Sequence, residues 1–322
     1  MELLVLGGTA FLGREIALTA VARGHRVTCG ARGSAEPPPG VDFVRVDRDD
    51  EDGLAPLAGH GWGGVIDVAR QPGHVRRAVR DLTAAHWTLV SSGNAYADFS
   101  SLEQTEDAAT LAPLVADAMA SDDDYGPAKV ACEEAVRAAG PAAVVRSGLI
   151  GGAGDWSGRT GYWPWRFAHP VGPEVVVPDD LDFPCAMIDV RDLAAWIVSL
   201  AERQVEGVFN ATGTTTDLRS VLDAAARVVA GSSARPRAVP VERLRELGID
   251  HWMGPQSLPL WIDDADWRGF ATMDTRRARA EGLVTRPLEE TLADALAWEE
   301  ARTEPRPCGL TDEEERRVLT AL

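Results

Sequence analysis

The sequence of 322 residues is poor in cysteine, histidine and positive charge. Its four cysteines are scattered without a C-x-x-C spacing, which predicts reduced thiols, and its six histidines form no pair at helical ligand spacing, which predicts no metal site. A net charge of −18 argues against nucleic acid or an anionic membrane surface as a partner. No apolar run is long enough to span a bilayer, and no charged-then-apolar leader precedes the first predicted strand. We therefore expect a cytoplasmic protein.

The first thirty residues contain a glycine-rich turn between a strand and a helix. Glu2–Leu6 and His25–Cys29 are short apolar segments typical of strands, and Arg14–Arg23 has apolar residues at helical spacing. This order predicts a βαβ unit whose turn binds a pyrophosphate: Ala10 lies where the backbone approaches the anion, and Gly13 lets the helix lie close to the strand. The predicted cofactor contacts in this turn are Gly7, Thr9, Ala10, Phe11, Leu12 and Gly13.

The end of the second strand bears on the choice of cofactor. An NAD site usually has an acidic residue there for the ribose 2′-hydroxyl, whereas an NADP site has an arginine for the 2′-phosphate. The sequence has Arg32 and no acid at this point, which favours NADP(H), with NAD(H) as the alternative. The next predicted strand, Val41–Asp47, ends at Asp47 and Arg48, which are candidates for contact with the adenine.

Strands and helices then alternate, which predicts a parallel sheet with helices on both faces. A further helix is predicted at Leu111–Ala120. Residues 155–182 are rich in Trp, Pro and Gly, and the segments after 214 are mostly helical. We predict an α/β fold, a Rossmann doubly wound parallel sheet formed by residues 1–150 and about 185–212. A smaller, mostly helical C-terminal substrate lobe would comprise about 151–184 and 213–322.

Ser92, Tyr125 and Lys129 are the candidate catalytic residues. Tyr125 and Lys129 are four residues apart, which places both side chains on one face of a predicted helix. A tyrosine with an ordinary pKa of about 10 is a poor acid–base group at neutral pH, but a neighbouring ammonium and a nicotinamide cation favour its phenolate. Ser92 can hydrogen-bond the same substrate oxygen. Tyr125 would then transfer a proton while the nicotinamide transfers a hydride.

Several motifs follow one another along the chain in a characteristic order. They are Gly7-x-x-Ala10-x-x-Gly13, Asp47-Arg48, Ser91-Ser92-x-Asn94-x-Tyr96, Tyr125-x-x-x-Lys129, Arg146-Ser147-Gly148, Ile188-Asp189-Val190-Arg191-Asp192-Leu193-Ala194 and Val208-Phe209-Asn210-Ala211. Together they resemble the short-chain dehydrogenase/reductase superfamily, in particular its extended or atypical branch, the NAD-dependent epimerase/dehydratase family. The resemblance implies that Tyr125 is the acid–base group, that Lys129 also binds the nicotinamide ribose, and that Ser92 is the third catalytic residue. It also supports NADP through Arg32.

Other residues complete the predicted site. The remaining cofactor candidates are Ala69, Ser91 and Gly148, together with Tyr125 and Lys129 themselves. The substrate candidates are Asn94, Tyr96, Trp156 and Trp261. Asn94 and Tyr96 could equally serve packing and turn formation, and most of the ten tryptophans are expected in the core.

The leading functional prediction is an NADP(H)-dependent oxidoreductase of the carbonyl reductase or alcohol dehydrogenase type, acting on a small-molecule substrate. One alternative is a nucleotide-sugar epimerase or dehydratase with tightly bound NAD. Another is a non-catalytic member of the atypical branch that binds a dinucleotide or RNA, although the acidic charge and the Ser92, Tyr125 and Lys129 set argue against it. The sequence leaves the substrate open, and it is compatible with a monomer or a homodimer.

Overall fold

The computed structural model describes all 322 residues. The strands are β1 (Glu2–Leu6), β2 (Arg26–Ala31), β3 (Asp42–Arg45), β4 (Gly61–Trp62), β5 (Gly64–Asp67), β6 (Thr83–Ala84), β7 (Trp87–Ser92), β8 (Ala142–Ser147), β9 (Leu149–Gly151), β10 (Glu174–Pro178), β11 (Pro184–Cys185), β12 (Met187–Asp189), β13 (Gly207–Ala211), β14 (Thr216–Asp217), β15 (Arg235–Val239), β16 (Asp250–Trp252) and β17 (Ser257–Pro259). The helices are α1 (Phe11–Ala22), α2 (Pro72–Asp81), α3 (Tyr125–Ala139), α4 (Arg159–Ala168), α5 (Val190–Arg203), α6 (Leu218–Arg227), α7 (Val241–Glu246), α8 (Arg276–Ala280), α9 (Leu288–Glu300) and α10 (Asp312–Thr320).

Seven strands form one parallel sheet in the spatial order β13-β8-β7-β5-β1-β2-β3. The chain order reverses between β1 and β5, so a crevice opens there at the carboxyl ends of the strands. The predicted Rossmann doubly wound fold is confirmed.

Two apolar layers cover the two faces of this sheet. Side chains alternate along β1, so that Leu3 and Val5 pack with α1 and α5, whereas Leu4 and Leu6 pack with α2 and α3. All four are fully buried. This two-sided burial explains why β1 is a continuous apolar run rather than an alternating one.

A third apolar cluster lies outside the sheet and is built from residues between Leu149 and Val318. It includes side chains of α4, α6, α9 and α10, among them the fully buried Trp163. The short strand pairs β10–β15, β11–β14 and β16–β17 accompany these helices. None of the helices combines the length and the apolar character that a membrane span requires.

The helix predicted at Leu111–Ala120 is wrong, because this segment is irregular. The guanidinium of Arg76 donates to the carbonyls of Leu114 (2.8 Å), Val115 (3.0 Å) and Ala116 (3.2 Å). Pro113 also contributes no backbone N–H. Contacts with α2 therefore satisfy the carbonyls that a helix would have used.

Gly13 permits the close contact between α1 and the turn after β1. An added Cβ at Gly13 would lie 2.2 Å from the Gly7 carbonyl oxygen. We expect Gly13→Ala to lower the free energy of unfolding by about 1 to 3 kcal/mol in urea denaturation, because the backbone must shift. Gly172→Ala is the control, since no atom lies within 4 Å of its added Cβ. Equal stability of the two variants would contradict this account.

Candidate functional site

The turn from Gly7 to Gly13 presents a cradle of backbone N–H groups at the crevice. Gly7 has a φ of +87°, in the left-handed region that favours glycine. Ala10 is the N-cap of α1 and supplies no side-chain cap, and no acidic residue lies in the first turn of the helix. The first N–H groups of α1 therefore lack intrahelical partners and are open to an anion. These features fit the pyrophosphate of a dinucleotide, for which Thr9, Phe11 and Leu12 complete the turn.

The adenosine end of the crevice would lie near the ends of β2 and β3. Arg32 directly follows β2, and its side chain is exposed, with Nη1 3.8 Å from Oδ2 of Asp49. Asp47 is also exposed, and its Oδ1 accepts the N–H of Asp49 at 3.1 Å. Both side chains are therefore accessible to a ligand.

Arg48 differs from its neighbour Asp47 because its side chain is buried and both of its terminal nitrogens are hydrogen-bonded within the protein. Its two terminal nitrogens donate to both carboxylate oxygens of Asp67, at 2.8 and 2.6 Å, and one also donates to the His74 carbonyl at 2.7 Å. The Arg48 guanidinium is therefore unavailable to the adenine, contrary to the prediction. It instead joins the segment after β3 to the end of β5.

Tyr125 and Lys129 share one face of α3, whose first residue is Tyr125. The Lys129 nitrogen lies 5.7 Å from the centre of the Tyr125 ring. It donates to the carbonyls of Ala69 at 2.7 Å and Val90 at 2.8 Å, and Lys129 is only 3% exposed. An ammonium has three donors, so one remains for a ligand hydroxyl. Ala69 thus contributes to the site by holding Lys129.

Lys129 is the only lysine in the chain, since the other members of its 32 lysines and arginines are all arginine. The contacts explain the use of an ammonium at this position. A compact group with three donors suits two convergent carbonyls, whereas a guanidinium presents a planar fork. This singular lysine is a composition signal that the motif interpretation did not use.

Ser92 reaches the same region because a short turn packs on the start of α3. Gly126 follows Tyr125, and an added Cβ there would lie 2.3 Å from the Asn94 carbonyl oxygen. The hydroxyl of Ser92 donates to Oδ1 of Asn94 at 2.9 Å and accepts the Asn94 N–H at 3.2 Å. The glycine therefore allows the turn Gly93–Ala95 to bring Ser92 and Asn94 close to Tyr125.

Glu133 lies on the same face of α3 as Tyr125 and Lys129, one helical turn further along the helix. Its carboxylate accepts the Ser91 hydroxyl at 2.5 Å and two donors of Arg146 at 3.0 and 2.8 Å. All three side chains are buried, so α3 is attached to β7 and β8. The Ser91 hydroxyl is consequently engaged in the interior, so the prediction that Ser91 contacts the cofactor does not hold for its side chain. The motif interpretation missed Glu133.

Two predicted substrate contacts are buried in the protein. Tyr96 is 2% exposed, its hydroxyl donates to Oδ1 of Asn210 at 2.6 Å, and the Arg146 guanidinium lies 4.8 Å from its ring centre. Burial raises the pKa of Tyr96. Trp261 is 1% exposed and packs in the third apolar cluster. Neither side chain is therefore available to a substrate. Trp156, by contrast, is 68% exposed, in the loop before α4.

The region beyond β8 contains Gly148 and a separate cleft. Gly148 allows close packing, since an added Cβ would lie 2.6 Å from Oγ1 of Thr212. A cleft of about 550 Å³ lies between α6 and the start of α9, with Thr214, Ser220 and Arg286 in its wall. None of the three catalytic candidates lines this cleft. It is therefore a feature distinct from the predicted site.

Replacement of Glu133 tests whether its carboxylate holds α3 in place. We expect Glu133→Gln to lower the free energy of unfolding by about 3 to 5 kcal/mol, because Arg146 is left buried without its counter-charge. Glu134→Gln is the matched control, since Glu134 is the next residue and is exposed. Urea denaturation of both variants measures the difference. A loss as small as that of the control would refute the role given to Glu133.

Comparisons with known proteins identify the family. The model of the NAD dependent epimerase/dehydratase family matches residues 3–212. No curated protein matches the sequence. Among solved structures, UDP-N-acetylglucosamine 4-epimerase from Bacillus cereus is 14% identical over 95% of this chain and 98% of that one, with a TM-score of 0.68. UDP-glucose 4-epimerase from Thermotoga maritima, solved with UDP-glucose, is 17% identical over 93% and 99%, with a TM-score of 0.68.

A third similar structure is the complex of UDP-glucose 4-epimerase from Thermus thermophilus with NAD. It is 18% identical over 94% of this chain and 100% of that one, with a TM-score of 0.64. At these identities the likeness establishes the fold. The family model matches most of the chain, and the protein therefore belongs to the NAD dependent epimerase/dehydratase family.

Proposed function

We propose that the protein is a nicotinamide-dependent enzyme that acts on a carbon bearing a hydroxyl or carbonyl group, with Tyr125 as its proton-transfer residue. The observation that carries the proposal is the convergence of Tyr125, Lys129 and Ser92 at the ends of β7 and α3. The glycine turn after β1, at the same edge of the sheet, supports it by offering a place for the dinucleotide.

Each of the three residues has a separate task. A bound nicotinamide dinucleotide supplies a hydride acceptor or donor. Tyr125 holds or releases the proton of the substrate oxygen, and the ammonium of Lys129 lies 5.7 Å from the centre of its ring. Lys129 also has one donor left for a ribose hydroxyl. Ser92 orients the substrate oxygen with its hydroxyl, which Asn94 positions by a hydrogen bond.

The epimerase or dehydratase form of this chemistry is the better supported one. In this form the cofactor is recycled within one turnover, and a nucleotide sugar is the substrate. Family membership supports it, and so do the similar proteins solved with UDP-glucose and with NAD. Incubation with NAD and a panel of nucleotide sugars, followed by chromatography of the products, is the direct test. We expect an isomer or a dehydrated sugar without net formation of reduced nicotinamide.

A net NADP(H)-dependent reductase or dehydrogenase is the second candidate. The observation that favours it is the exposed Arg32 after β2, at a position where an NAD enzyme usually has an acid. Steady oxidation of NADPH with a carbonyl substrate would support this candidate over the first.

Tyr125→Phe tests the proton-transfer role. We expect turnover to fall about a hundred- to ten-thousandfold with dinucleotide affinity unchanged, because only the phenol oxygen is lost. Tyr162→Phe is the control, since the buried Tyr162 hydroxyl has no hydrogen-bond partner. Turnover assays and calorimetric titration with the dinucleotide separate the two effects. Unchanged activity of Tyr125→Phe would favour a non-catalytic dinucleotide binder.

Arg32→Gln tests the cofactor preference. We expect the Kd for NADP to rise about tenfold and the Kd for NAD to stay the same, because one charge-assisted contact with the 2′-phosphate is lost. Arg235→Gln removes another exposed charge, from β15, and serves as the control. If the ratio of the two Kd values does not change, Arg32 does not select NADP.

A further inference from the structure

An acidic side chain from the turn after β3 lies beside Arg32. β2 and β3 pair in parallel, and the pairing continues past both strands, since the Val46 N–H donates to the Ala31 carbonyl at 3.0 Å. The turn that follows therefore adjoins the residue after β2, which is Arg32. Within this turn, Oδ2 of Asp49 lies 3.8 Å from Nη1 of Arg32. The acid that is missing from the end of β2 in the sequence is thus present there in space.

The backbone of this turn is held in place on both sides of Asp49. The buried Arg48 guanidinium donates to the His74 carbonyl at 2.7 Å, and the Arg48 carbonyl accepts two donors of Arg77 at 3.1 and 2.7 Å. The Asp49 N–H donates to Oδ1 of Asp47 at 3.1 Å. These contacts join the turn to the first part of α2 and fix the point from which the Asp49 side chain extends.

His74 of α2 also fixes the carboxylate itself. Its Nε2 lies 2.7 Å from Oδ1 of Asp49, and it is the donor because an ionised carboxylate can only accept. The hydrogen bond from His74 lowers the pKa of Asp49, so the carboxylate is charged at neutral pH. Burial lowers the pKa of His74, which leaves the imidazole neutral at pH 7. The pair therefore carries a net negative charge.

The second oxygen of Asp49 is available to a ligand. At 3.8 Å the contact of Oδ2 with Arg32 is longer than a hydrogen bond, and both side chains are 67% exposed. A ribose hydroxyl can donate to Oδ2, because a hydroxyl is both donor and acceptor. A phosphate at the same place is anionic, so Asp49 repels it while Arg32 attracts it. The two side chains consequently act in opposite directions on a 2′-phosphate.

We propose that Asp49 accepts the 2′-hydroxyl of the adenosine ribose of NAD and repels the 2′-phosphate of NADP, with His74 as the positioning residue for its carboxylate. Arg32 alone favours NADP, and the opposing charge of Asp49 makes NAD the better ligand. The inference rests on the proposed function, since it assigns a specificity residue to the dinucleotide crevice at the ends of β2 and β3.

Calorimetric titration of the full chain with three ligands provides the test. The ligands are NAD, NADP and NAD that lacks the 2′-hydroxyl of its adenosine ribose. The wild type is compared with Asp49→Asn, Asp47→Asn and Asp50→Asn. Asp50 is the matched control, because it is the next residue, is exposed and belongs to the same turn. Thermal unfolding midpoints report whether each variant is folded.

We expect the wild type to bind NAD about tenfold more tightly than either of the other two ligands. In Asp49→Asn the Kd for NAD should rise to that of the deoxy ligand, and the Kd for NADP should fall about tenfold. The Kd for the deoxy ligand should stay the same, since it makes no contact with Asp49. Asp47→Asn and Asp50→Asn should behave like the wild type.

Two variants of His74 test its positioning role. His74→Leu removes the donor to Asp49, and we expect the ratio of the Kd values for NAD and the deoxy ligand to move toward one. His74→Gln retains a donor near the position of Nε2 and should restore the wild-type ratio. A purely structural role of His74 would change the unfolding midpoint without changing this ratio.

Several results would overturn the inference. They are equal affinity of the wild type for NAD and the deoxy ligand, persistence of the preference in folded Asp49→Asn, and its loss in Asp47→Asn, which would assign the ribose contact to Asp47. An equal gain of NADP affinity in Asp50→Asn would indicate a general charge effect. Binding without discrimination would refute this inference alone, whereas failure of the folded wild type to bind any of the three ligands would refute the proposed function as well.

Discussion

The attachment of α3 to the sheet is the interaction on which the candidate site depends. Tyr125, Lys129 and Glu133 recur every four residues, so they form one stripe that faces β7 and β8. Lys129 binds two backbone carbonyls and Glu133 binds a buried arginine and a serine. Two of the three residues thus anchor the helix, and this anchoring sets the position of Tyr125 at its amino end.

Glycines provide the second constraint, because they let backbone segments approach where a Cβ would not fit. Gly13 brings α1 against the turn after β1, and Gly126 brings the Ser92 turn against α3. The first contact builds the anion cradle, and the second places Ser92 beside Tyr125. The two halves of the site, for the dinucleotide and for the substrate oxygen, therefore depend on the same physical device.

Buried charge is balanced within the fold. Under the sheet, Arg48 and Arg146 are each paired with a carboxylate and serve the scaffold. The desolvation of these two guanidinium groups is therefore offset by counter-charges of the protein itself.

The sequence by itself determined the elements that depend on local pattern. The apolar strand, the glycine turn and the helical spacing of Arg14–Arg23 predicted the βαβ unit, and the spacing of Tyr125 and Lys129 placed them on one helical face. These properties depend on residues close in sequence, so they can be derived without tertiary contacts.

Only the tertiary structure decided which side chains reach the crevice. Arg48, Ser91, Tyr96 and Trp261 are of types that bind ligands, yet each is turned toward a partner distant in sequence or toward the apolar core. The segment Leu111–Ala120 is irregular and not helical for a similar reason, because the distant Arg76 donates hydrogen bonds to its carbonyls. Such pairings join residues far apart in the chain, and local patterns do not encode them.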